Sequence, residues 1–238
     1  MNIKKHIPNC ITLLNLFCGC IAMVFVSKQE FEIAFFFVFL GIFFDFFDGF
    51  FARLFNVWSP LGLQLDSLAD MVTSGVVPGF VLFKMLSNSV NSDPSLIYLP
   101  YLGFIVTLGS CYRLANFNID TRQTDSFIGL PTPANALFIL SLPLILKNSD
   151  SLLVLELLIN PWVLLFISVL SAFILNAEIP LFALKIKKFN LKDNALQLFF
   201  LLISILLLVY LQFAGVALII VFYVLLSIIT NKFKANNS

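Results

Sequence analysis

Long apolar runs, repeated along nearly the whole chain, restrict what this sequence can fold into. A helix needs about 20 apolar residues to cross the ~30 Å hydrocarbon core of a bilayer. Eight stretches approach that length: 7–26, 33–54, 63–86, 96–115, the shorter 133–146, 152–175, 195–213 and 216–230. The last two are parted only near Gly215 and read as a tight hairpin rather than one kinked helix. Hydrophobic residues make up 60% of the chain and charged ones 11%, too little polar surface to coat a soluble domain of this size. The expected fold is an all-α polytopic membrane protein of about eight transmembrane helices. It forms one domain over 1–238, with no internal repeat or low-complexity linker.

The formal net charge is +1, so no bulk attraction to nucleic acid is expected. Lys4 and Lys5 precede the first apolar run, but Pro8, Asn9, Thr12 and Asn15 interrupt its start and no small-residue cleavage site follows, so it reads as a retained span. The cytoplasmic side of a membrane protein is enriched in Lys and Arg. With the N-terminus inside, the inner segments hold Lys4, Lys5, Arg53, Arg113, Arg122, Lys185, Lys187, Lys188, Lys192, Lys232 and Lys234, and the outer ones Lys28, Lys84 and Lys147. Both termini are therefore expected in the cytoplasm, as in a bacterial-type inner membrane. The polar stretch 176–194 reads as a cytoplasmic interfacial segment whose lysines face anionic head groups. Cys10, Cys18, Cys20 and Cys111 form no C-x-x-C pair and read as packing residues. His6 reads as a surface residue.

Four carboxylates break this apolar pattern: Asp45, Asp48, Asp66 and Asp70. Ionisable groups inside membrane segments are costly and mark functional sites by default. The topology brings all four to the cytoplasmic face. Asp45 and Asp48 share one helical face at spacing i, i+3, and Asp66 and Asp70 share another at i, i+4. Two facing helices would present them to one point. Four close carboxylates need counter-charge, and oxygen-only ligands suit a pair of Mg²⁺ or Mn²⁺ ions. Two such ions are a recurrent device for phosphoryl chemistry. Gly49, Ala52 and Gly62 leave room for a flat base or a phosphate to approach the backbone, and Arg53 can pair with phosphate oxygens. Taken singly, the acids also fit a proton or ion relay, and the glycines fit helix packing.

The spacing D-x2-D-G-x2-A-R-x8-G-x3-D-x3-D over 45–70 resembles the signature of the CDP-alcohol phosphotransferase family. Asp45, Asp48, Gly49, Ala52, Arg53, Gly62, Asp66 and Asp70 meet every position. The resemblance implies a six-helix catalytic core, a two-metal site and attack of an alcohol on a CDP-linked donor, with CMP leaving. Three further segments are similar to the integral-membrane CDP-diacylglycerol–serine O-phosphatidyltransferases: I-P-N-C-I-T-L-L-N-L at 7–16, L-D-S-L-A-D-M-V-T-S-G-V-V-P at 65–78, and R-L-A-N-F-N at 113–118 with F-I-G-L-P-T-P-A at 127–134. That likeness covers roughly the first 140 residues. It departs at Asn116, where the subgroup usually carries a second arginine.

Carried over residue by residue, the resemblance implies that Asp45, Asp48, Asp66 and Asp70 ligate the metals. Gly49, Ala52, Arg53 and Gly62 would line the cytidine and phosphate pocket for CDP-diacylglycerol. Asp70 would take the proton from the hydroxyl of L-serine. Asn9 and Thr12 share a face near the same surface and either touch the nucleotide or cap the first helix. A zwitterionic acceptor needs a cation for its carboxylate. Arg113, beside Asn116 and Asn118, is the best placed, and Arg122 is a second candidate. Interfacial anchoring is the alternative for Arg113. The stretch 129–133 either shapes the acceptor pocket or starts the fifth span. The family likeness also implies a homodimer. A rival reading keeps the chemistry but changes the acceptor to glycerol 3-phosphate or inositol phosphate. A transporter would spread its acids through membrane depth and repeat them in two halves, and neither pattern is present.

Overall fold

The computed structural model describes residues 6–90, 94–120, 127–182 and 194–236. Helices dominate, and among the described residues the extended pairing is a single antiparallel bridge between Ile128 and Pro180. Helix α1 (Ile7–Ser27) begins with Pro8 in its first turn, and α2 (Phe31–Phe55) returns antiparallel against it. Asn56 closes α2 in the left-handed conformation (φ 53°), which Asn tolerates better than most residues. Ser59 caps α3 (Pro60–Asp70) by accepting from the Gly62 N–H at 3.0 Å.

The third span then changes its winding. Residues Met71–Val76 form a π-helical turn before α4 (Val77–Val90). Pro78 supplies the cause: it has no N–H for the Ser74 carbonyl, and its ring crowds that carbonyl. The Val77 N–H reaches instead to the Val72 carbonyl. Thr107 donates its hydroxyl to the Gly75 carbonyl at 3.0 Å, so the neighbouring helix satisfies an acceptor within the widened turn.

The expected span at 96–115 is split between a 3₁₀ stretch (Leu99–Phe104) and α5 (Ile105–Phe117). Helix α6 (Thr132–Asn148) follows. The expected span at 152–175 is not one rod. Its parts α7 (Leu152–Ile159) and α8 (Pro161–Asn176) meet at 72°. Asn160 accepts from the Trp162 N–H and starts a new helix just where Pro161 cannot continue the old one.

Helix α9 (Ala195–Asn236) breaks at Gln212 (φ 47°, ψ −116°). The rings of Phe199 and Phe222 are 6.3 Å apart, and those of Phe200 and Phe222 5.9 Å. On a straight helix they would be about 33–35 Å apart, so the halves fold back on each other as a hairpin. Among the described residues, four helices are long and apolar enough to cross a membrane, Ile7–Ser27, Phe31–Phe55, Pro60–Val90 and Ala195–Asn231, or five if the bent pair counts as one span.

The buried core gathers Val26 and Val38 with Leu82, Leu86, Ile139, Leu140 and Leu164. Cys18 is packed inside, whereas Cys10, Cys20 and Cys111 are exposed free thiols, so the expected packing role holds only for the first. His6 is exposed. Most of the interfacial stretch expected at 176–194 lies outside the described residues.

Candidate active site

Helix α1 is the strut of the site. It packs against both α2 and α3, and two of its side chains each take one aspartate from a different helix. Thr12 donates its hydroxyl to Asp48 Oδ2 at 2.5 Å, with the Pro8 carbonyl, 3.1 Å away, as the alternative acceptor. Asn15, three residues on and so on the same face, donates its amide to Asp70 Oδ1 at 3.0 Å. Thr73 in the π turn donates in turn to the Asn15 carbonyl at 3.1 Å. The two carboxylate helices are therefore held in register through α1 rather than only by facing each other. Thr12 lies within α1, and His6 at the N-cap makes no side-chain cap bond, so capping is not the role of Thr12.

Carboxylate oxygens of Asp45, Asp48 and Asp66 lie within 4.8 Å of one another. Asp48 is the most enclosed, at 6% exposure. Three carboxylates this close repel unless a cation lies between them, and an all-oxygen donor set matches hard divalent ions such as Mg²⁺ or Mn²⁺. Asp70 reaches the same cavity but is held on its Asn15 side.

That cavity, about 560 Å³, is lined by Asn9, Thr12, Asp45, Asp48, Gly49, Ala52, Arg53, Gly62, Asp66, Asp70 and Arg113. Residues as far apart in sequence as Asn9 and Arg113 thus converge on one space. A Cβ on Gly62 would lie 3.2 Å from both Asn9 Oδ1 and Ser59 Oγ, so glycine there lets α1 approach. A Cβ on Gly49 would meet Arg53 Nη1 at an ordinary 3.6 Å, so packing alone does not require glycine at 49. A second cavity, about 640 Å³, opens among Gln29, Glu30, Lys147 and Ile159 and holds none of the signature residues.

Arg113 is not an interfacial anchor. It is 7% exposed, lines the carboxylate cavity, and donates from Nη1 to the Ile128 carbonyl at 2.6 Å. Ile128 belongs to a strap fixed by Gly129 N–H to the Ile179 carbonyl (2.8 Å) and Leu181 N–H to the Phe127 carbonyl (2.8 Å). Gly129 sits at φ +74°, and a Cβ there would lie 2.6 Å from the Leu175 carbonyl oxygen. Gly129→Ala is expected to destabilise the protein by about 1–3 kcal/mol and to reduce turnover by displacing the acceptor of Arg113. A thermal melt in detergent beside an activity assay checks this, and an unchanged melt with unchanged turnover would contradict it.

The other acceptor candidates separate. Asn118 donates its amide to Ser67 Oγ at 2.8 Å, tying the end of α5 to α3 beside the cavity. Asn116 is exposed and outside the cavity lining, because the lining face of α5 runs through Arg113, Leu114 and Phe117. Arg122 lies outside the described residues. Pro131, Thr132 and Pro133 of the stretch 129–133 line the cavity, and so do Ser67 and Trp58, to which sequence reasoning assigned no role; it also assigned none to Asn15. Asn15 stands three positions after Thr12, and that spacing was the available signal.

The family model described as CDP-alcohol phosphatidyltransferase matches residues 5–174. A CDP-diacylglycerol--serine O-phosphatidyltransferase of Bacillus subtilis is 40% identical over 133 residues, covering 54% of this chain and 70% of that protein. Proteins of the same name from Helicobacter pylori (34% identical, 56% of this chain, 54% of theirs) and Saccharomyces cerevisiae (35% identical, 58% of this chain, 53% of theirs) are also similar. The chain thus spans little more than half the length of the latter two. With the signature carboxylates gathered in one cavity and most of its length matched, the chain belongs to the CDP-alcohol phosphatidyltransferase family.

Proposed function

We propose that this protein transfers a phosphatidyl group from CDP-diacylglycerol to L-serine, giving phosphatidylserine and CMP. The observation that carries the reading is the convergence of Asp45, Asp48, Asp66, Asp70 and Arg113 on a single cavity at one end of the helices. The names of the similar proteins support serine as the acceptor over glycerol 3-phosphate or inositol phosphate. So do the cations among the described residues, where Arg53 and Arg113 are the arginines lining the cavity and a phosphorylated acceptor would call for more.

In this reading Asp45, Asp48, Asp66 and Asp70 would hold two divalent cations, Mg²⁺ or Mn²⁺. When bound, the ions offset charge on the diphosphate and on the departing CMP. Gly49, Ala52, Gly62, Asn9 and Thr12 border the nucleotide, and Arg53 pairs with phosphate oxygens. Arg113 receives the serine carboxylate, with Asn118 nearby. The serine hydroxyl oxygen bonds to the phosphorus on the diacylglycerol side, its proton passes to Asp70, and the bond from that phosphorus to the oxygen of CMP breaks. Fixed orientation and electrostatics account for most of the acceleration.

The same proposal places the chain in the inner membrane as eight spans around a six-helix core, with both termini cytoplasmic and two copies forming a homodimer. Support comes from charge: Arg53 and Arg113 lie at the carboxylate cavity, whereas Lys147 borders the other cavity, where it pairs with Glu32 at 2.9 Å. Purified protein given CDP-diacylglycerol, Mn²⁺ and serine is expected to release CMP. Release with glycerol 3-phosphate and none with serine would move the acceptor assignment.

A further inference from the structure

Three buried polar side chains, each about one helical turn from a residue that lines the carboxylate cavity, have nothing to bond. Among the described residues, Ser74 Oγ, Ser110 Oγ and both amide atoms of Asn135 have no hydrogen-bond partner. Ser74 and Ser110 are 0% exposed and Asn135 is 1% exposed. Buried polar groups in folded proteins are almost always paired, and leaving them unpaired is costly.

Their placement is regular. Ser74 is four residues beyond Asp70, Asn135 three beyond Thr132, and Ser110 three before Arg113, and each of those reference residues lines the cavity. Helices α3 and α6 run away from the cavity and α5 runs toward it, so all three groups sit about 5 Å deeper, one helical turn down. The elements that carry them are neighbours. Thr73 faces α1, where it bonds Asn15, while a Cβ on Gly75 would lie 3.2 Å from Ser110 Cβ on α5. Ser74 lies between them in the π turn, which also packs against α6, the helix that carries Asn135.

The set has a definite chemistry. The Asn135 amide offers donors and one acceptor, the two hydroxyls act either way, and the Arg113 guanidinium stands one turn above Ser110. Together they match a small group bearing both an ammonium and a carboxylate. We propose that Asn135, Ser110 and Ser74 form a pocket under the metal-ligating carboxylates that recognises the α-amino and α-carboxylate groups of the acceptor amino acid. This rests on the serine-transfer reading and deepens it. Discrimination follows from the same groups: an alcohol lacking those charges leaves them unpaired and is rejected.

The test is steady-state CMP release by the purified full chain, with serine and CDP-diacylglycerol varied separately. Asn135→Ala is expected to raise the KM for serine at least tenfold, with the KM for CDP-diacylglycerol changed less than twofold. Ser110→Ala is expected to raise the serine KM about fivefold on the same pattern. A purely structural or water-holding role would lower the melting temperature or kcat without that split. Should Asn135→Ala fail to fold, Asn135→Asp and Ser110→Ala decide the matter by the same split. Folded variants with an unchanged serine KM, beside a wild type active on serine, would overturn this inference alone. A wild type inactive with serine would overturn the serine-transfer reading as well.

Discussion

Asp70→Asn is expected to cut CMP release by about 10²–10⁴-fold, the usual weight of a positioned general base, without loss of fold. The replacement keeps the shape of the side chain and removes its charge and its capacity to take a proton. Asn15 donates to Asp70 Oδ1 at 3.0 Å, which leaves Oδ2 to take the proton in this reading. The same bond fixes the carboxylate against α1, and Thr73 fixes Asn15 in turn. The variant should therefore melt near the wild-type temperature and still bind CDP-diacylglycerol. Near-normal turnover would remove Asp70 as the base and leave it a metal ligand at most.

Chelation is expected to reduce activity to background, and added Mn²⁺ or Mg²⁺ to restore it. Asp45, Asp48 and Asp66 bring like charges within 4.8 Å, an arrangement that needs cations to be stable as carboxylates. Asp66→Asn removes one ligand without touching the Thr12–Asp48 or Asn15–Asp70 bonds. It should raise the metal concentration for half-maximal rate by tenfold or more and lower the maximal rate by about 10²–10³-fold, the scale of a lost electrostatic contact at the reacting group. Full activity in excess chelator would exclude the divalent-ion site.

Much of this site was legible because acids in apolar spans stand out and their helical spacing fixes which face they share. Asp45 with Asp48, and Asp66 with Asp70, needed only the period of a helix and the direction of each span. The supporting parts were harder to see. Thr12 and Asn15 read as the polar start of a first span, and nothing local shows that each holds one aspartate. The π turn at Met71–Val76 hides in an apolar run, although Pro78 carries the missing N–H that favours it. The 72° bend at Asn160 and Pro161 was signalled by the Asn-Pro pair but lay inside a stretch long enough to read as one span. Asn116 failed to join Arg113 because α5 turns it outward, whereas Asn118, past the helix end, comes back to Ser67. The hairpin at the C-terminal end was readable from its short break, and Gln212 marks where it turns.

Anomalous diffraction from crystals grown with Mn²⁺ and CDP-diacylglycerol tests the metal site most directly. Peaks are expected among the carboxylates of Asp45, Asp48 and Asp66, with Asp70 alongside and the donor's diphosphate against them. A well-ordered donor with no metal peak within reach of those side chains would contradict the assignment.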